Sequence, residues 1–222
     1  MRIFFFITKS EQGGAQTHVA QLTQWLVEHG HEVAVMSASG GWLQAQTMQL
    51  GGQFFRNDKL GNTASPIRLW KASQRFLEAV DAFKPDLVAC HSTIAGLVGR
   101  LSLRGRIPTI FTAHGLGFTQ GAPRLRRWIL PIFERLAGIY SRRIICVSRN
   151  DLGLARRHHI AHDDKLTLVY NGVETLNDAG IASDAPRNEM DAMEVNILFV
   201  DRLAQPKNPS LLVEAFSRLA SE

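Results

Sequence analysis

Residues 2–18 read RIFFFITKSEQGGAQTH. Arg2 to Ile7 is a short apolar, aromatic-rich run that gives way to a polar turn and to Gly13 and Gly14, after which Ala15, Val19, Leu22 and Leu26 fall at helical spacing. The order is strand, glycine loop, helix. Glycine has no Cβ, so the backbone here bends sharply and lets an incoming group lie against the first N–H groups of the helix, whose dipole suits an anion. The plainer reading is a tight strand-to-helix turn. The spacing is not the G-x-G-x-x-G of dinucleotide sites, and the second strand ends near Met36 and Ser37 without the acidic residue a ribose requires.

Working outward, the same alternation repeats. Strands are expected at His31 to Ser37, Gln53 to Phe55, Leu87 to His91, Thr109 to Thr112, Ile144 to Val147 and Leu166 to Tyr170. Helices are expected between them, at Trp42 to Leu50, from Pro66 to Pro85, at Thr93 to Leu103, at Pro123 to Tyr140 and from Ser148 onward. This is the pattern of an α/β fold, a Rossmann-like parallel sheet wrapped by helices. Leu69, Trp70, Ser73, Phe76, Leu77, Val80 and Phe83 mark one face of the longest helix, and Ala95, Gly96 and Gly99 allow close packing of another. In such a sheet the ligand crevice lies at the carboxyl ends of the strands, the edge that holds the Gly13-Gly14 loop, His91 and His114.

Residues 1–173 make one domain in this reading. Residues 174–194 are polar and acidic, as linkers are, and 195–222 begin a second pattern with a strand at Val195 to Val200, a loop at Asp201 to Lys207, and a helix opened by Asn208-Pro209. One strand and one helix cannot bury their own apolar faces, so the second Rossmann-like domain is read as truncated.

The chain has 222 residues, 45% hydrophobic and 20% charged, which suits a globular protein with a real core. Two cysteines, Cys90 and Cys146, sit near strand ends as buried thiols and do not form a disulfide framework, which fits a reducing cytoplasm. No run is long enough for a membrane span, and Ile3 to Ile7 is too short for a signal-peptide core. A formal charge of +5 favours acidic partners without naming one.

That charge is concentrated. Arginines at 100, 104, 106, 124, 126, 127, 135, 142, 143, 149, 156 and 157 face only Glu134 and Asp151 as acids. With Trp128, Ile129, Ile132 and Phe133 alongside, the helix at 123–140 is read in two ways: resting on an anionic membrane, or facing the core with a solvated basic rim. Nucleic acid finds no recognised binding motif here. His158, His159 and His162, with Asp163 and Asp164, have helix-compatible ligand spacing, and solvated side chains are the plainer reading of them. His18 falls in the first turns of its helix, where packing or capping accounts for it. G-x-S-x-G, P-loop and C-x-x-C motifs do not occur, which leaves hydrolase, nucleotide kinase and zinc-site readings without support.

Four stretches stand in order: GGAQTH at 13–18, TAHG at 112–115, CVSRND with VYNGVE at 146–151 and 169–174, and FVDRLAQPKN at 199–208. Together they resemble the retaining glycosyltransferases of family 4, whose GT-B architecture sets two Rossmann-like domains across a cleft. The resemblance implies transfer of a sugar from a nucleoside-diphosphate-sugar to a hydroxyl of a sugar or polyprenyl-linked acceptor, most often in cell-surface polysaccharide assembly at the inner face of the membrane. It implies that His114 contacts the transferred sugar, that Arg202 and Lys207 bind the donor phosphates, and that Gly13, Gly14 and His18 line the acceptor or diphosphate loop. Two cations on a preorganised loop can offset leaving-group charge without a metal, and no D-x-D motif or further cofactor is expected. The sequence departs from the family at Asp201, usually glycine, and at Gln205-Pro206, usually in the reverse order. The family's acidic donor motif is not present, so a non-catalytic half that binds acceptor or membrane, or that needs a donor-domain partner, stays open beside the enzyme. A Rossmann oxidoreductase is weakened by the missing fingerprint.

Overall fold

The computed structural model describes residues 1–61, 65–119, 121–172, 198–200 and 208–219. They divide into two compact units, Met1–Asn171 and Gly172–Glu222. Arg202, Lys207, Asp201 and the expected linker lie outside the described residues, and so does the first half of the strand expected at Val195 to Val200. Leu198, Phe199 and Val200 are described and form no strand.

The first unit runs β1 (Arg2–Ile7), α1 (Gly14–Glu28), β2 (Glu32–Ser37), α2 (Trp42–Gln49), β3 (Gln53–Arg56), α3 (Pro66–Phe83), β4 (Leu87–His91), α4 (Thr93–Leu103), β5 (Thr109–Ala113), α5 (Arg124–Ile139), β6 (Arg143–Cys146), α6 (Arg149–Arg157) and β7 (Leu166–Leu168). The second contains α7 (Pro209–Leu219). All seven strands pair in parallel in the order β3-β2-β1-β4-β5-β6-β7. The order reverses between β1 and β4, and a crevice opens at the carboxyl ends of strands where it does so.

Alternation along β1 splits the core in two. Phe4 and Phe6 join Phe76, Val80 and Phe83 of α3 and Ala95, Val98 and Leu103 of α4. Ile3, Phe5 and Ile7 join Val19 and Ala20 of α1 and Leu43 of α2. Phe6 stacks on Phe76 with ring centroids 4.4 Å apart. The small residues of α4 act as expected: a Cβ at Gly99 would lie 2.6 Å from Cys90 Sγ, and one at Gly96 2.6 Å from Phe111 Cε2. Trp70 departs from the expected face of α3. It is 61% exposed, and Ala72 and Ala79 take its place against the sheet.

The largest correction concerns α5. Its expected apolar face, Trp128, Ile129, Ile132, Phe133 and Leu136, points to solvent, joined by Leu125 and Ile139. The inward side is Pro131, Glu134, Ala137 and Gly138, with Leu130 half-buried. Two particulars decide this orientation. Glu134 forms a buried ion pair with Arg100 of α4, 2.5 Å long, while the Arg100 guanidinium lies 4.0 Å above the Phe111 ring and donates Nε–H to the Gly96 carbonyl. Gly138 lets the Ile160 carbonyl come so close that a Cβ there would collide with it. The core-facing reading of α5 therefore fails, since its bulky residues are on the outside.

The helix expected to carry His158, His159 and His162 stops at Arg157. His158 ends it, His159 takes φ 48°, and His162 bonds its own neighbour Asp164 at 3.0 Å. The three have no shared helical face. Among the described residues no helix is long and apolar enough to cross a membrane.

Candidate functional site

Three segments meet at the β1/β4 switch point. The first is the loop from β1 into α1. Gly13 is extended, with φ −178°, and Gly14 is the first residue of α1, so neither glycine takes a conformation closed to other residues. The sharp bend expected from sequence is not what they supply. A Cβ at Gly13 would lie 2.9 Å from Gln16 Oε1, the end of a flexible side chain, and one at Gly14 would meet nothing within 4 Å. Gln16 braces the loop by donating to the Lys9 carbonyl at 3.2 Å, and the first N–H groups of α1 have no partner inside the helix.

The second segment is the end of β4. His91 is its last residue, paired to Ile7 on one side and Thr112 on the other, and only 1% exposed. Ser92 follows at φ 71°, an unusual conformation for a residue with a Cβ. It is held there by Thr8, whose backbone N–H and hydroxyl lie 3.2 and 2.6 Å from Ser92 Oγ; the Ala95 N–H donates to Thr8 Oγ1 at 3.3 Å. The ends of β1 and β4 are thus tied together at the crevice.

The third segment follows β5. His114 is the first residue past the strand, and Gly115 turns the chain with φ 103°, a value that favours glycine. The Leu116 N–H then donates to Asp151 Oδ1 at 3.0 Å. Asp151 is itself fixed, because Ser148 Oγ–H donates to Asp151 Oδ2 at 2.6 Å and accepts the Asp151 N–H at 3.0 Å, closing the N-terminus of α6.

These segments bring three histidine rings together. His91 Nδ1 lies 2.9 Å from His114 Nε2, and the His18 ring meets His114 edge-on at a centroid distance of 5.2 Å. Burial pushes His114 down to about 4, helped by His18 and opposed by the Asp151 carboxylate. Burial also holds His91 well below the usual histidine range, with His114 and His18 adding to the effect, and it lowers His18. All three are neutral at pH 7. Beneath them a cavity of about 270 Å³ runs along the sheet face, lined by His18 and His91 with Phe5, Leu22, Ile110 and Ile145 among others.

One ring nitrogen from each of His18, His91 and His114 lies within 4.8 Å of the other two, and neutral imidazoles are the form that binds metal. A histidine that ligates a metal is ordinarily anchored by a hydrogen bond from its second nitrogen. His91 Nε2 is buried with no partner among the described residues, and its Nδ1 is spent on His114. The trio is a hydrogen-bonded contact in this structure, and its ring nitrogens are candidate metal-ligand atoms. Burial pushes the thiols of Cys90 and Cys146 up to about 12 and about 11, so neither is a nucleophile at neutral pH.

Of the residues expected in the site, Gly13, Gly14, His18 and His114 converge; Arg202 and Lys207 lie outside the described residues. His91 stood at the right edge but had no assigned role in sequence. The latch from Asp151 to Leu116 was missed, although Ser148-x-x-Asp151 is a legible capping pattern.

Residues 12–176 match the family model described as Glycosyltransferase Family 4. The chain belongs to Glycosyltransferase Family 4. Among curated relatives, the O-antigen biosynthesis glycosyltransferase WbnH of Escherichia coli is 26% identical over 215 residues, covering 96% of this chain and 59% of that protein. The chain thus spans about three-fifths of the length of the curated relatives it matches. Among solved structures, Anabaena HepE in complex with UDP-glucose aligns with TM-score 0.59 at 14% identity, over 78% of this chain and 44% of that one. The lipopolysaccharide outer core galactosyltransferase WaaB, in its apo form, aligns with TM-score 0.59 at 15% identity, over 78% and 46%. At such identities the structural likeness concerns the fold: a seven-stranded parallel Rossmann-like sheet of the GT-B kind.

Proposed function

We propose that this chain is the acceptor-side part of a glycosyltransferase. It transfers a sugar from a nucleoside-diphosphate-sugar to a hydroxyl of a lipid-linked acceptor, with retention at the anomeric carbon, in surface polysaccharide synthesis. The observation that carries the reading is the convergence at the switch point of an open helix N-terminus and a neutral, half-buried His114. The first suits a phosphate-bearing ligand and the second a sugar hydroxyl. The names of WbnH and of the HepE complex support the pathway class and the donor class. In this reading Arg202 and Lys207 bind the donor phosphates and offset the charge that develops on the leaving diphosphate.

The exposed face of α5 supports a lipid-linked acceptor. At 100° per residue its seven exposed apolar side chains occupy an arc of about 140°. Arg124 and Arg135 flank one margin of that arc and Arg126 the other. Trp128 is 79% exposed and Ile132 61%. The two acids between Arg100 and Arg157, Glu134 and Asp151, are buried in internal contacts and leave the arginine charge of α5 uncompensated. An apolar stripe between cationic margins suits the headgroup boundary of an anionic bilayer.

The test uses a form that matches its relatives in length, incubated with a panel of nucleotide-sugars and a polyprenyl-linked acceptor. Release of nucleoside diphosphate and a product with the donor's anomeric configuration support the reading. Inverted configuration refutes retention, and no turnover with any donor refutes the transferase.

A further inference from the structure

His91 makes a side-chain hydrogen bond to His114, the candidate sugar contact, with 2.9 Å between His91 Nδ1 and His114 Nε2. A neutral imidazole carries one N–H, so a single proton lies in that contact and two arrangements place it. If His114 Nε2–H donates, His91 must carry its own proton on Nε2. That N–H is then buried without an acceptor among the described residues. If His91 Nδ1–H donates instead, His91 Nε2 is a bare lone pair, and His114 bears its proton at Nδ1. Among buried backbone groups an unmet N–H is rarer than an under-satisfied acceptor, and by the same preference the second arrangement is lower in energy.

The frame around His91 is rigid enough to impose this. The residue is paired on both sides within the sheet, and it is followed by Ser92, pinned by Thr8 at φ 71°. Phe5 lies against its ring at a centroid distance of 5.6 Å. On the other side, Asp151 fixes the turn after His114 through the Leu116 N–H. His114 Nδ1 has no hydrogen-bond partner among the described residues and is the ring atom left for a ligand.

We propose that His91 is a positioning residue that fixes His114 in the Nδ1–H tautomer, so that His114 meets the transferred sugar as a hydrogen-bond donor and not as a proton acceptor. The part concerning sugar rests on the proposed function; the tautomer does not. Neutral histidine in water prefers the Nε2–H form, so His91 reverses a default. A donor at this position selects a ligand oxygen with a free lone pair, as in a sugar hydroxyl.

The test is long-range 1H–15N correlation NMR at pH 7 on the 222-residue chain with ring-15N histidine, His114 being assigned by its loss in His114→Gln. The expected spectrum shows His114 protonated at Nδ1 and bare at Nε2. In His91→Asn the side-chain amide N–H replaces the Nδ1–H donor and the tautomer persists. In His91→Leu, His114 reverts to Nε2–H. A wild-type His114 protonated at Nε2 overturns the proposal whether or not the variants fold, and an unchanged tautomer in a folded His91→Leu overturns the role of His91. In the longer, active form, His91→Leu lowers kcat about tenfold, the worth of one hydrogen bond, and His91→Asn restores it. If the tautomer holds while neither His91→Leu nor His114→Ala alters turnover, the sugar contact fails and the tautomer stands.

Discussion

Asp151 Oδ1 accepts the backbone N–H of Leu116 at 3.0 Å across 35 residues of sequence, and through it the N-terminus of α6 holds the turn that presents His114. One buried carboxylate thereby does two jobs, closing a helix and fixing a site loop. Asp151→Ala keeps the cap bond from the backbone N–H of residue 151 to Ser148 Oγ, but it removes the latch and the acceptor of the Ser148 hydroxyl and leaves the Leu116 N–H unmet in a buried place. We expect a loss of about 2–3 kcal/mol, read from urea denaturation, with Ser148→Ala costing about 1 kcal/mol. A loss in Asp151→Ala no larger than that in Ser148→Ala would contradict the weight given to the latch.

The three neutral histidines make the fold sensitive to acid. His114 titrates at about 4 when folded and near the ordinary 6.5 when unfolded, so the unfolded chain binds more protons between those values and stability rises with pH across that window. The groups facing His114 are His18 and His91, which are lowered too, and Asp151, whose charge opposes the shift. From His114 alone, about 2 kcal/mol present above pH 7 is gone at pH 5. The urea midpoint is expected to fall between pH 7 and pH 5, and His114→Gln to shrink that fall.

Gly138 is the point where α5 presses on the segment after α6. A Cβ there collides with the Ile160 carbonyl, a backbone atom that cannot swing aside. Gly138→Ala is expected to destabilise by at least about 2 kcal/mol in thermal or urea unfolding. At Gly14, which has open space around it, alanine is expected to change stability by less than about 1 kcal/mol.

The exposed stripe of α5 gives a test independent of catalysis. Trp128→Glu together with Ile132→Glu replaces side chains that contribute little to the core, so the folded state should be unaffected. Sedimentation with vesicles rich in anionic lipid is expected to fall at least tenfold in affinity. Single Arg124→Gln or Arg126→Gln changes should each weaken it about fivefold, the worth of one cation near a charged surface. Binding that persists in the double variant would remove α5 from the membrane account.

How far the sequence could be read follows from what kind of information periodicity carries. β4 at Leu87–His91 and α4 at Thr93–Leu103 were legible to the residue, because an apolar run bounded by Pro85 and followed by small residues at helical spacing leaves little choice. The strand ends placed His91, His114 and the Gly13-Gly14 loop on one edge for the same reason. The orientation of α5 was not legible. Amphipathicity shows that a helix has two faces, and the choice between them was made by Arg100 with Glu134 and by the contact of Gly138 with Ile160, neither visible as a local pattern. The contact between His91 and His114 depends on neighbouring strands in a sheet whose order only the fold supplies.

The measurement that bears most directly on the central claim is steady-state turnover with a nucleotide-sugar by a form as long as its family 4 relatives, comparing wild type with His114→Ala. The account expects kcat to fall at least a hundredfold, with a circular dichroism spectrum that shows the protein still folded at pH 7. Turnover that is unchanged in a folded His114→Ala protein would contradict it.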